Sequence, residues 1–394
     1  MLCKWNASFA ETIPVADSIP GQKRVDLIDL YHKWFTKSTL ASSDSIRANK
    51  KIHFSLLPGA TNSASGGAAL VTALNAAFYT GDFRSTSLST VTFSPWFTFD
   101  GKFVLPFRNL VWLPHDYLLW KGDTRFMIYP QDTWGLGAKN NVDDQLLLEY
   151  NYVRFYHSIL KKVGKKLYFG AGLNIDHHFK IKLEDDSVTA DKIPVFDYEG
   201  DITPNTTSLG TVINFAIDTR RNSNNPRGGM YFATDYRLNP EFLGSTRQWQ
   251  SVFADFRKYI PFSKKRQNLL ALWTYYWGVT SGRPPYLDLP AIGWDYYNHS
   301  GRGIQQNRYR SKSILYAESE YRRDLSANGF WGFVVFMNVT APADYTTKKF
   351  SYWHPAGGVG LRVKFNKVSD ANICIDFGMS KDYAGVYVAL GEFF

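Results

Sequence analysis

Arg302, Arg308 and Arg310 crowd one stretch, SGRGIQQNRYR, that runs straight into SKSILYAESEYRRDL, where Glu318, Glu320 and Arg322 fall on alternate residues. Guanidiniums beside carboxylates at that spacing point to ion pairing, because a guanidinium taken out of water must find carboxylates or carbonyls. Other chemistry is thinly supported. An outer-membrane hydrolase needs a serine or aspartate activated by histidine at the rim, but no G-x-S-x-G occurs. The histidines lie scattered at 32, 53, 115, 157, 177, 178, 299 and 354, and only His299 sits near a dense polar stretch. NIDHHF offers Asp176, His177 and His178, yet neighbours on a strand point to opposite faces, so the two imidazoles are poorly placed to share a metal. Residues 183–201, LEDDSVTADKIPVFDYEGD, match no calcium-loop signature and read as solvated negative surface. Cys3 and Cys374 have no metal or redox spacing. The sequence predicts no enzyme activity, no cofactor and no metal.

The elements that must hold those arginines repeat with a period of two from Lys51 onward. In GTVINFAIDTRRN, Ile213, Phe215 and Ile217 face one way and Asn214, Ala216 and Asp218 the other; in NICIDFGM, Ile373, Ile375, Phe377 and Met379 oppose Cys374, Asp376 and Gly378. One face of each strand is apolar and aromatic, the other small, polar or charged. Aromatic residues make up 16% of the 394-residue chain, yet no window holds an uninterrupted apolar run long enough for a transmembrane helix. A transmembrane β-barrel needs only alternate apolar residues. About sixteen such segments begin near residues 51, 66, 87, 102, 117, 144, 165, 208, 229, 246, 267, 310, 330, 353, 371 and 385. With that count the longest connections, 133–143, 185–207, 281–309 and 343–352, all fall on one side, and short turns such as KKVGKK, SKKRQ and LSANG on the other, the asymmetry of external loops and periplasmic turns. The chain runs out in a strand, GVYVALGEFF, that is expected to close on the first.

The net charge of +10 is spread out, and its two tight clusters are turns. That disfavours nucleic acid and suits anionic lipid headgroups. Residues 1–50 differ from the rest. VDLIDLYHKWF puts Leu27, Ile28, Tyr31, Trp34 and Phe35 at helical spacing, with Asp26, Asp29 and Lys33 around the turn. An amphipathic helix over about 24–36 is expected, followed by a polar linker. MLCKWNASFAET lacks the apolar region of a signal peptide, although SFA before Glu11 has the small-x-small pattern of a cleavage site. The expected division is a periplasmic segment, 1–50, and a barrel, 51–394.

Four pieces carry a family resemblance. DTRRNSNNPRGGMYF (residues 218–232) is similar to a strand-turn-strand of the type DTR…NP…G. PPYLDLPAIGWDYYNHSGRGIQQNRYRSKSILYAESEYR looks like a long sixth external loop with an R-G-F/Y tip, an R-x-R segment and a strand ending in E-Y-R. FMNVT (336–340) sits where F-x-D-x-G is found, and GGVGLRVKF, ICIDFG and VYVALGEFF resemble three closing strands. Together they resemble the barrel of the bacterial surface antigen family, the BamA/TamA-type outer-membrane assembly and translocation proteins, over residues 51–394, most nearly the short versions common in Bacteroidota.

The resemblance implies a sixteen-stranded antiparallel barrel in the bacterial outer membrane, its sixth loop folded into the lumen and its arginine paired with acids of the wall. Arg302 and Gly303 match the tip, with Ile304 in place of the aromatic and Arg308 and Arg310 following. Asn338 and Thr340 replace the family's aspartate and glycine, so a charge-assisted bond becomes an ordinary one there. Glu318, Glu320 and Asp376, on faces opposite apolar residues, and Asn338 are the expected lumenal acceptors. The resemblance also implies a seam between the first strand, holding Pro58, and the last, reaching Phe394; Pro58 lacks a donor and weakens the ladder. Family members usually carry periplasmic POTRA repeats, for which residues 1–50 are too few. The expected function is outer-membrane protein insertion or export with partners that supply periplasmic domains. The alternative is a structural or accessory barrel plugged by its own loop and helix, without insertase activity. Expected partners are outer-membrane lipid and lipopolysaccharide and an outer-membrane protein or lipoprotein, with no nucleic acid.

Overall fold

Strict alternation of side chains makes each segment able to pair on both edges, and the chain pairs every one with its sequence neighbour. The computed structural model describes residues 24–30, 52–62, 68–99, 101–183, 198, 203–220, 222–262, 268–367 and 369–394. They form one antiparallel sheet of 18 strand segments: β1 (His53–Asn62), β2 (Ala68–Phe78), β3 (Ser89–Phe93), β4 (Trp96–Thr98), β5 (Phe103–Trp112), β6 (Leu118–Ile128), β7 (Gln131–Thr133), β8 (Leu146–Gly164), β9 (Leu167–Leu183), β10 (Asn205–Asp218), β11 (Gly229–Asn239), β12 (Trp249–Pro261), β13 (Asn268–Gly282), β14 (Ser313–Asp324), β15 (Trp331–Pro342), β16 (His354–Asn366), β17 (Ala371–Met379) and β18 (Ala384–Leu390).

Two pairs of segments lie in line. β3 and β4 both pair with β2 on one side and β5 on the other, and β6 and β7 both pair with β8. Pro95 and Pro130 sit at the two breaks, where a residue without an N–H interrupts the ladder. The strands begin within three residues of the sixteen positions expected from periodicity, the widest gaps being Asn205, Trp249 and Ser313 against 208, 246 and 310.

The sheet is polar inside and apolar outside. On β17, Cys374 and Asp376 are 0% exposed while Ile375, Phe377 and Met379 between them are 42–54% exposed. On β10, Asn214 and Asp218 are buried while Ile213 is exposed. A soluble sheet does the reverse; this pattern suits a wall with hydrocarbon outside it.

β7 and β8, β9 and β10, β13 and β14, and β15 and β16 are joined on one side of the sheet, and β8 and β9, β14 and β15, and β16 and β17 on the other. The 283–312 connection turns back onto the polar face. It meets Arg108 of β5 through Tyr297 O (3.4 Å), Arg125 of β6 through Asn298 (2.6 Å), Ser208 of β10 through Asp288 (2.5 Å), Tyr275 of β13 through Ser300 (3.1 Å) and Asn338 of β15 through Arg302 O (2.8 Å). A single connection reaches strands so far apart only because the sheet curls around it.

Residues 27–30 are helical. Asp26 Oδ1 accepts from Asp29 N (2.7 Å) and Asp29 Oδ2 from Asp26 N (3.3 Å), a reciprocal cap. The rest of the expected helix, with Tyr31, Trp34 and Phe35, lies outside the described residues, as do Cys3, the SFA stretch and most of the acidic run.

Candidate functional site

β14 supplies the floor of the site. Its period of two turns Tyr316, Glu318, Glu320 and Arg322 inward together, all buried. The 283–312 connection lowers Arg302 onto them, 1% exposed. One Arg302 nitrogen pairs with Asp376 of β17 and the other with Glu318 and Glu320. Its guanidinium lies between the rings of Phe336 (3.9 Å) and Phe393 (4.3 Å). Arg362 of β16 bridges Asp376 and Glu392 (2.8 Å), and Arg322 pairs with Glu320 (2.5 Å) and donates to Phe394 O (2.9 Å). Three guanidiniums thus face four carboxylates, with one tyrosine hydroxyl, Tyr316, donating to Glu318.

The approach needs glycine on both sides. Gly303 sits at φ +89°, and a Cβ there would come within 2.6 Å of Met379 N; a Cβ on Gly378 would come within 2.8 Å of Gly303 N. The loop backbone therefore lies flat on β17, at a dihedral that glycine adopts without strain. Asn338 Nδ2 donates to Arg302 O (2.8 Å), and Gly303 N donates to Tyr387 OH (2.8 Å). Asn338 is used as a donor, which an ionised aspartate could not be.

The other expected residues divide. Ile304 is buried in the aromatic cluster around Trp273 and Tyr316. Arg308 and Arg310 do not reach the acids. Arg308 donates to Asn140 O (2.7 Å), and Arg310 to Tyr286 O (2.8 Å) and Leu289 O (3.3 Å), so they tie the connection to its neighbour and to itself. Pro58 lies within β1, opposite Thr72. Phe394 is not part of a seam strand. β18 ends at Leu390, Gly391 turns the chain at φ +95°, and Phe394 is 2% exposed against Trp273 at 5.2 Å. His178 is buried and stacked on Tyr152 (4.2 Å), whereas His177 stacks on Phe179 across the strand. His299 donates from Nδ1 to Phe393 O (2.7 Å), and burial pushes its imidazole below the ordinary range.

Periodicity had missed Arg362 and Glu392, and a second set of ion pairs on the polar face. Its signal was present as an acid two residues before an arginine: Asp123 and Arg125, Asp218 and Arg220, Asp255 and Arg257, Glu320 and Arg322 pair with one another. Residues i and i+2 share a face, so each strand carries its own counter-ion. The fifth instance breaks the rule: Asp235 takes Lys121 (3.1 Å) and Arg237 takes Asp176 (2.5 Å). Between these pairs, the connection and residues 387–394 lies a cavity of about 450 Å³.

No family model matches the chain, and no curated protein matches it. Solved structures do. BamA from Haemophilus ducreyi lacking POTRA domains 1-3 aligns with a TM-score of 0.52 at 12% identity, over 92% of this chain and 76% of that one. CdiB from Acinetobacter baumannii aligns at 0.55 and 13% identity over 87% of this chain, and CdiB from Escherichia coli at 0.53 and 11% over 88%. The fold is that of an outer-membrane β-barrel. The chain spans 60% of the Acinetobacter CdiB and 68% of the Escherichia one. Among the described residues no helix is long and apolar enough to cross a membrane; the strands, with their apolar outer face, do so.

Proposed function

We propose that this barrel works in outer-membrane protein insertion or export, in concert with partners that supply periplasmic domains. The observation that carries the reading is the seam. β1 and β18 lie side by side, with Cα atoms within 8 Å, yet among the described residues no rung joins them, while every other neighbour in the wall is laddered. In this reading the wall has sixteen staves, with β3–β4 and β6–β7 each counting as one, and closes by apposition of β18 on β1. Unsatisfied N–H and C=O groups along two such edges are a template for an incoming strand. β18 has only seven residues, which leaves little edge to hold the seam shut. The likeness in fold to BamA and CdiB supports the same reading. Lipid and lipopolysaccharide surround the apolar wall, and an outer-membrane protein or lipoprotein docks on the turn side. No enzymatic step enters.

The filled interior favours a second reading, a plugged accessory barrel without insertase activity. A panel of cysteine pairs across β1 and β18, with Cys3 and Cys374 replaced by serine, separates the two. A disulfide that stops assembly of other barrels in reconstituted vesicles, with recovery on reduction, supports the seam. A reduced barrel that supports no more assembly than protein-free vesicles leaves the accessory reading, and one that still assembles when cross-linked overturns the seam.

A further inference from the structure

Residues 222–228 join β10 to β11 on the turn side but spend their polar groups elsewhere. Asn222 Nδ2 donates to Ser369 O (3.0 Å) and Asn225 Nδ2 to Asp370 O (3.2 Å), both on the turn between β16 and β17. Arg227 grips Asp324, at the end of β14, with two bonds of 2.9 and 3.1 Å. Asn224 O accepts from Glu392 N (2.8 Å). From β11 to β17 the wall passes through six ladders, about 29 Å of sheet at the usual strand spacing. Residues 219–228 are too few to follow that arc out and back, so the segment meets the turn between β16 and β17 by crossing inside the curled wall, and Ser223 and Asn224 line the 450 Å³ cavity from below. Tyr296, Tyr297 and His299 of the 283–312 connection line the same cavity from above.

We infer that residues 222–228 are a strap that shuts the turn-side mouth of the barrel and is coupled to the lid above the cavity. The coupling runs through residues 391–394. The strap holds Glu392 by its backbone; the next residue, Phe393, accepts the His299 bond and covers the Arg302 guanidinium. Releasing the strap removes its backbone hold on that segment; Arg362 on Glu392 and Arg322 on the Phe394 carbonyl remain, so the segment loosens in place and the lid loses part of its support. The clasps shown are amides and a rim ion pair that water reaches, whereas the ion pairs of the lid are buried. The inference does not depend on what the barrel moves.

The test uses the full chain with Cys3 and Cys374 replaced by serine and a cysteine at Thr90, which faces the cavity. The probe is a charged methanethiosulfonate. Against that background R227D is expected to label faster by about tenfold, and to raise hydrogen exchange across residues 296–306. The swapped pair R227D/D324R is expected to return both to the starting rate. N225A, which removes one clasp without adding charge, moves both in the same direction and serves if R227D folds poorly. Labelling that stays at the starting rate in folded R227D and N225A overturns the strap; faster labelling with unchanged exchange over 296–306 overturns its coupling to the lid.

Discussion

Replacing Arg302 with alanine would leave Glu318, Glu320 and Asp376 facing one another with two guanidiniums, Arg322 and Arg362, where there had been three. Breaking a buried pair by removing one partner costs about 3–5 kcal/mol, because the charge left behind has no water. Lysine keeps the charge but as a compact point without the planar fork, and it could not bridge β14 and β17 at once. The urea midpoint of the barrel refolded into vesicles should fall in the order wild type, R302K, R302A. The N338D variant tests the neighbouring position. From sequence, Asn338 read as a lost charge. In the fold its amide donates to the Arg302 carbonyl, so an ionised carboxylate there loses the bond and faces a carbonyl oxygen. N338D should loosen the lid, seen as faster hydrogen exchange at Gly301 and Gly303, despite placing another acid near Arg302. Alternation could name the inward acids of β14 and β17, and the resemblance put Arg302 among them, but neither tells whether an amide gives or takes a hydrogen.

The turn between β16 and β17 gathers the start of the helical segment. Asp29 takes Lys367 Nζ (2.6 Å), Asp26 takes Lys367 N (2.8 Å), and Arg24 reaches Asp370 (3.3 Å). Burial alone would raise the Asp370 carboxyl, but Lys364, Arg24 and Arg227 outweigh it and hold it down to about 2. A carboxylate depressed on folding adds stability that is complete above its ordinary range and disappears as pH falls through the folded value. Docking of residues 24–30 should therefore be intact at neutral pH and weaken as pH drops from about 4 towards 2, with D370N already weakened and less steep across that window, since the Asp29–Lys367 pair remains. Protection of the amide of Leu30, which bonds Asp26 O, reports it. At this scale the strands were legible because a half-buried strand must alternate; the breaks at Pro95 and Pro130 went unread, although a residue that cannot donate stands at each. The end of β18 was misread: GVYVALGEFF alternates well enough to be strand throughout, and the turn at Gly391 is fixed by Glu392, Phe393 and Phe394 finding partners on β14, β16 and the lid. Partners far away in the chain leave no local trace. The strap was legible only as a motif, DTRRNSNNPRGG, since its clasps are to carbonyls on another turn.

Across the whole barrel, most interior acids stand beside their own cation, often two residues away on the same strand, so the lumen is nearly self-neutralised wherever the lid does not reach. A pore that conducts needs either open water or a ring of unpaired charge; here the lid fills the centre, and Asp123, Asp218 and Asp255 are committed to Arg125, Arg220 and Arg257. The intact barrel should therefore show almost no conductance in a planar bilayer and little preference between potassium and chloride. Replacing residues 286–310 by a short glycine-serine link removes Arg302 and the lid but leaves the strand pairs untouched. Conductance should then rise by about an order of magnitude, with a modest preference for potassium, because Glu318, Glu320, Asp376 and Glu392 are left with two guanidiniums while the wall pairs persist. Adding R227D to the shortened barrel should raise it further, since lid and strap close the two mouths in series. If the shortened barrel stayed closed while remaining folded, the obstruction would belong to the strap and residues 391–394, and the lid would serve the wall's stability instead of sealing it.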